Sequence, residues 1–140
     1  MITLKNGLEI QIRSYKEADF SSIHALNEQE NWSNLVEKKE DTKAAWNHSN
    51  IAYVATVDDK IIGYIRGITD QSITIYICEL LIDQEYRGIG VGQELLYFVH
   101  SLYPITRVEM LASSTSQAYY ENKGFRPFYG FRNTFAEWDR

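Results

Sequence analysis

Residues 87 to 93, Arg87-Gly88-Ile89-Gly90-Val91-Gly92-Gln93, combine a cation with three glycines at alternate positions, just before an apolar stripe of helical period. Glycine leaves its backbone N–H uncovered, and the first N–H groups of a helix have no intrahelical partner and lie at the positive end of its dipole. Such a place binds phosphate; without a ligand it is a glycine-rich strand-to-helix turn. Two common phosphate loops are excluded by the spacing. No Lys-Ser/Thr follows, as a Walker loop requires, and a dinucleotide fingerprint beginning at Gly88 and Gly90 would need glycine where Gln93 stands.

Upstream, Glu79 is the one acidic residue in the apolar run Ile73 to Ile82. A carboxylate in a mostly buried strand is costly unless it is paired or faces a site. It is therefore either a partner for Arg66 or Arg107 or a group with work to do. Downstream stands Tyr119-Tyr120-Glu121-Asn122-Lys123-Gly124-Phe125. His24, His48 and His100 are scattered and, with Cys78 as the single cysteine, make no zinc spacing, so no metal is expected. Cys78 reads as a small buried hydrophobe.

The elements that must position these residues follow from periodicity. Leu8 to Ile12 alternates like a half-buried strand, and Ser14 with Glu17 fits a capping box opening a helix to about Asn27. Glu28 to Asp41 is polar and holds Trp32, either an anchor on the core or a ligand contact; Thr42 to His48 reads as a second helix. Ile51–Val57 and Lys60–Ile68 form a hairpin about Asp58-Asp59, with Gly63 marking a bulge or close backbone approach. Ile73 to Ile82 reads as a central strand buried on both faces. Leu95, Leu96, Phe98, Val99 and Leu102 give a core-facing helix stopped by Pro104. A strand from Ile105 to Ala112, a short helix Gln117 to Lys123 closed by Gly124, and two weak strands, Phe125 to Phe128 and Thr134 to Trp138, complete the chain. Hairpins first and β-α alternation after predict an α/β (α+β) fold with a mixed sheet.

The chain has 140 residues, 44% hydrophobic and 24% charged, and a formal charge of −5. One domain spanning 1–140 is expected. An acidic balance argues against nucleic acid and towards cationic partners. A single cysteine fits a reducing, cytoplasmic setting, and no apolar run is long enough to span a membrane, so none is expected as a partner.

The glycine loop, as Arg-x-x-Gly-x-Gly after a long strand, together with the Tyr119–Phe125 segment some 30 residues on, resembles the GNAT superfamily of acyl-coenzyme A-dependent N-acetyltransferases. The resemblance runs from Ile10 to about Phe128 and departs from the common pattern at Gln84, often proline, and Ser113, often asparagine. It implies a mixed central β-sheet of six to seven strands flanked by about four helices, with a splayed central strand pair holding the cofactor. The co-substrate would be acetyl-CoA. The backbone of Leu80, Leu81 and Ile82 would pair with the pantetheine amides by strand addition. The N–H groups of Arg87, Gly88, Ile89, Gly90, Val91, Gly92 and Gln93 would hold the pyrophosphate, and Ser113 would take the place of the asparagine on the pantetheine arm.

A neutral amine would attack the thioester directly. Deprotonating a lysine-like amine at pH 7 costs roughly 4–5 kcal/mol, so Glu79 is the implied base, through water, with the ion pair as its alternative role. Tyr120 matches the tyrosine that protonates the departing thiolate; Tyr119 would face the core. The segment at Trp32, with Glu79 and Glu28 or Glu30, would lie on the acceptor side. The expected activity is acetylation of a primary amine on a small cationic molecule. The alternatives are acetylation of a protein lysine or N-terminus, and a coenzyme A-binding module without turnover. The scaffold also admits a homodimer, for which the aromatic C-terminal strands would supply an edge.

Overall fold

The computed structural model describes residues 1–140. Residues 1–109 make up one compact unit and 110–140 a second. The six strands are β1 (Ile2–Thr3), β2 (Glu9–Ser14), β3 (Ile51–Val57), β4 (Lys60–Thr69), β5 (Thr74–Ile82) and β6 (Arg107–Met110), in the order β1-β2-β3-β4-β5-β6. The helices are α1 (Phe20–Gln29), α2 (Ser33–Glu37), α3 (Lys39–His48), α4 (Val91–Leu102) and α5 (Gln117–Asn122). From β1 to β5 every neighbour pair is antiparallel. β6 is reached through α4, the helical crossover that a parallel neighbour needs, so the sheet is mixed.

Alternation along the strands separates two faces. On one, Val54, Tyr64 and Leu81 pack with Phe20, Ile23 and Leu26 of α1 and Trp46 of α3, with Tyr15 and Trp32 at the margin. α4 packs against β3, β4 and β5, burying Leu95, Leu96 and Val99, and Phe98 meets Tyr53 edge-on at 5.1 Å. Fully burying side chains of this kind stabilises by about 1.5–3 kcal/mol each. The Asp58-Asp59 turn has both residues at positive φ, the geometry whose twist matches a hairpin.

Two bulges modify the β4 ladders. Ile62 is extra where Ala55 faces Gly63 and Thr56 faces Ile61, beside the glycine that suggested one. Cys78 is extra where Arg66 faces Glu79 and Gly67 faces Ile77. A Cβ on Gly67 would stand 2.5 Å from the carbonyl oxygen of Tyr76.

Several expectations are corrected. Ser14 ends β2 instead of capping a helix; the first turn, Glu17–Asp19, is closed by the Asp19 carboxylate, which accepts from Lys16 N–H at 2.8 Å and is held by both Arg13 amino groups. The polar segment after Glu28, which admits a mobile loop or a short helix, contains the short helix α2 and the start of α3. β5 is not buried on both faces: Cys78 to Leu80 and Ile82 are half-buried, and Ile73 is exposed. Leu102, on the predicted stripe, is exposed. The two final strands do not form, because alternating aromatics supply β-propensity but no ladder partner. Phe125 to Thr134 has no regular structure and Phe135–Glu137 is a 3-10 turn, so these residues offer no strand edge for a dimer.

Substituting Gly67→Ala will force the β4–β5 ladder apart and cost about 1–3 kcal/mol. Urea unfolding followed by circular dichroism measures this; an unchanged midpoint would contradict the close approach.

Candidate active site

β5 delivers the chain into the glycine loop through a turn held by Asp83. Its N–H donates to Ile62 O at 2.8 Å, its carboxylate accepts from Glu85 N–H at 2.9 Å, and its carbonyl accepts from Tyr86 N–H at 2.9 Å. Asp83 is buried and does the stiffening that Gln84, in place of proline, does not. Asp followed two residues later by a free N–H is an Asx-turn signal that the sequence reading passed over.

Gly88 and Gly90 adopt φ of +78° and +101°, a region closed to most other residues, and a Cβ on either would meet nothing within 4 Å. Gly90 is the N-cap of α4 and its carbonyl accepts the first helical bond, from Glu94. Gly92 lies within the first helical turn. The backbone at Gly88 and Gly90 is therefore open to an approaching anion, beside the positive end of a 12-residue helix. These features fit a pyrophosphate. Ile89 is half-buried, Val91 is buried in the core, and Gln93 is exposed. The exposed Arg87 donates from Nε to Ile82 O at 2.9 Å and from its terminal amino group to Glu30.

Glu79 forms a bidentate pair with Arg66, Nε to Oε1 at 2.7 Å and NH2 to Oε2 at 2.6 Å, and Arg66 also donates to Ser49 Oγ at 3.1 Å. Their side chains are 15% and 14% exposed. Burial works against the Arg66 cation, but the hydrogen bonds and charge of Glu79 outweigh it and hold the guanidinium above its ordinary range. Cys78, on the bulge, has its thiol pushed up by burial and so stays protonated. Beside the pair, Tyr64 OH donates to Asn27 Oδ1 at 2.6 Å, and burial, followed by the charge of Glu79, pushes its phenol well up. Trp32 is half-buried against the α1 face, as an anchor is.

Leu80, Leu81 and Ile82 face Ile65, Tyr64 and Gly63 of β4. β4 takes one edge of this stretch. The Ile82 carbonyl is engaged by Arg87. At the beginning of β5 the Arg107 N–H donates to Ile73 O at 2.9 Å, which joins the start of β6 to that end of the strand.

In the second unit, Ser113 accepts from Ser116 and Gln117 N–H through its carbonyl and shares its hydroxyl with Thr115 and Ser116, so it shapes the entry to α5. Tyr120 sits edge-on to Tyr119 and Phe125, at 5.2 and 5.6 Å. It is the more buried of the two tyrosines, whereas Tyr119 is exposed, the reverse of the expected core-facing role. Burial, with a smaller contribution from Tyr119, raises the Tyr120 phenol above its ordinary value, so it carries its proton throughout the neutral range. Gly124 at φ +89° ends the helix.

A model of the GNAT acetyltransferase domain matches residues 12–135. The chain belongs to the GNAT acetyltransferase family. Among solved structures, a GNAT family acetyltransferase from Streptococcus pneumoniae is similar with a TM-score of 0.74 at 18% identity, over 92% of this chain and 98% of that one. A GCN5-related N-acetyltransferase from Ralstonia eutropha gives 0.69 at 15% identity, over 91% and 99%. An uncharacterized N-acetyltransferase of Methanocaldococcus jannaschii is 36% identical over 56 residues, 40% of this chain and about a third (35%) of that relative's length. A groove of about 550 Å³ lined by Tyr15, Trp46, Asn47 and Tyr53 lies on other residues than those that carry the GNAT resemblance.

Replacing Glu79 by Ala leaves the Arg66 charge half-buried and unpaired, and will destabilise by about 3 kcal/mol. The double variant Arg66→Met/Glu79→Leu will recover most of that loss. Urea denaturation of the three proteins tests it, and equal destabilisation in single and double variants would contradict a coupled pair.

Proposed function

We propose that this GNAT domain transfers the acetyl group of acetyl-CoA to a primary amine on a small cationic molecule. The observation that carries the reading is the pair of positive-φ glycines, Gly88 and Gly90, with open space above them at the start of α4. An activated acetyl thioester is what the cofactor supplies. The N–H groups of residues 87–93 would hold its pyrophosphate, and the backbone of Leu80–Ile82, on the side away from β4, would align its pantetheine arm.

Two groups of the chain would manage protons. A carboxylate has about four lone-pair sites. Arg66 takes two of those on Glu79, which leaves acceptor capacity for a water that carries away the amine proton. Tyr120, protonated because burial raises its phenol, would give its proton to the sulfur as the C–S bond breaks and the new C–N bond forms. Trp32 would border the acceptor, and the acidic balance of the chain favours a cationic one. A soluble, reducing compartment suits the single cysteine, and no helix is long and apolar enough to cross a membrane.

Thiol release from acetyl-CoA will be detected with at least one member of a panel of polyamines, aminoglycosides, amino acids and peptides. Tyr120→Phe will lower kcat by roughly one to two orders of magnitude with coenzyme A affinity retained. Gly90→Val, forced into a conformation that a β-branched residue avoids, will abolish coenzyme A binding by calorimetry. Coenzyme A binding without turnover on any amine would favour the non-catalytic module, and normal affinity in Gly90→Val would sink the pyrophosphate assignment.

A further inference from the structure

The groove of about 550 Å³ is built from residues that no step of the acetyl transfer uses. Tyr15 follows β2, Glu17 opens the first turn, Asn47 and Ser49 stand at the end of α3, and Tyr53 is on β3. Packing holds its aromatic walls in place. The Tyr15 ring lies 4.8 Å from that of Trp46, and Tyr53 meets Phe98 edge-on. Tyr15 N–H donates to Ala52 O at 2.9 Å, and its hydroxyl donates to Asn47 Oδ1 at 3.2 Å.

Three oxygens of this lining keep acceptor capacity. Lys43 Nζ approaches Glu17 Oε1 at 3.2 Å, and one such contact does not fill the roughly four lone-pair sites of a carboxylate. The Tyr15 oxygen donates its proton and can still accept, and Asn47 Oδ1 has a second lone pair. Burial, then the charges of Glu17 and Asp19, raise the Tyr15 phenol above its ordinary value, so the potential at its hydroxyl is negative. An ammonium group brings three donors and no acceptor, and aromatic faces attract it.

The groove also reaches the neighbourhood of the candidate base. Ser49 lines it, and the Ser49 hydroxyl accepts from Arg66 at 3.1 Å, on the same guanidinium that holds Glu79. Trp46, against Tyr15, also meets the Tyr64 ring edge-on at 5.1 Å, and the Tyr64 hydroxyl feels the charge of Glu79. One guanidinium therefore separates the groove from Glu79.

We propose that this groove holds the second ammonium group of a diamine or polyamine acceptor whose first amine reacts at Glu79. Glu17, Tyr15 and Asn47 bind that second group, and the chain between the two amines passes Ser49. The inference rests on the acetyl-transfer reading above. It narrows the acceptor from any small cation to one with two amines set apart by a chain long enough to pass the Arg66 guanidinium.

The test uses the full-length protein with coenzyme A chemistry intact: a series of α,ω-diaminoalkanes and the 1-aminoalkanes of equal length, at saturating acetyl-CoA. In the wild type the diamine will have the higher kcat/KM once its chain reaches the groove, and the gain will lie in KM. Glu17→Gln will lower the diamine-to-monoamine ratio of kcat/KM about three- to fivefold. Asn47→Asp, which adds a carboxylate to the lining, will raise that ratio by a similar factor. Loss of folded protein scales both amines alike and leaves the ratio where it was. Thiol release from both amines, with the ratio near one at every length or unmoved in both variants, overturns the inference while the acetyl-transfer reading stands. No thiol release from any amine overturns that reading, and the inference with it.

Discussion

Everything at the candidate site follows from placing one carboxylate in the middle of a half-buried strand. Glu79 cannot stand there alone, because an ionised group taken from water needs a partner and satisfied hydrogen bonds. Arg66 meets that demand from the neighbouring strand, with both guanidinium-to-carboxylate bonds and a further one to Ser49. The pairing requires Arg66 to lie opposite Glu79, and that register exists because Cys78 is bulged out of the ladder one residue earlier. The same register brings Leu81 opposite Tyr64 and ends the strand at Ile82, where Asp83 turns the chain into the glycine loop. Charge matching, strand register and loop placement are thus one constraint.

The parts of the site that are local in sequence were legible. Gly88 and Gly90 read as an anion loop because positive φ and an uncovered backbone are properties glycine supplies by itself. The stripe of α4 and the stop at Gly124 were legible for the same local reason. Glu79 was visible as an anomaly, with Arg66 or Arg107 as the partner to expect; what singled out Arg66 was a bulge that leaves no mark in the alternation. The bond between Arg87 and Glu30 joins residues 57 apart, and nothing in either neighbourhood announces it.

Errors arose where local pattern had no tertiary partner. Ser14 and Glu17 have the spacing of a capping box, yet Ser14 is used by β2 opposite Tyr53, and Asp19 with Arg13 closes the turn in its place. The hydrogen bonds from Arg13 hold the Asp19 carboxyl below its ordinary value, against burial, so this closure is present at neutral pH and is lost as pH falls through that depressed value. The aromatic residues from Phe125 to Trp138 have strand propensity, but Phe128, Tyr129, Phe131 and Phe135 are each more than four-fifths exposed and no strand forms. Propensity without a ladder does not make a sheet.

The chain belongs to the GNAT acetyltransferase family, and the central claim is the proposed coenzyme A site at the glycine loop. That claim is tested most directly by following backbone amide resonances of the full-length protein as coenzyme A is added. The largest shifts are predicted at Gly88, Ile89, Gly90 and Gln93, with a second group at Leu80 to Ile82. Saturating shifts elsewhere with those residues unmoved, or no shifts at all, would contradict it.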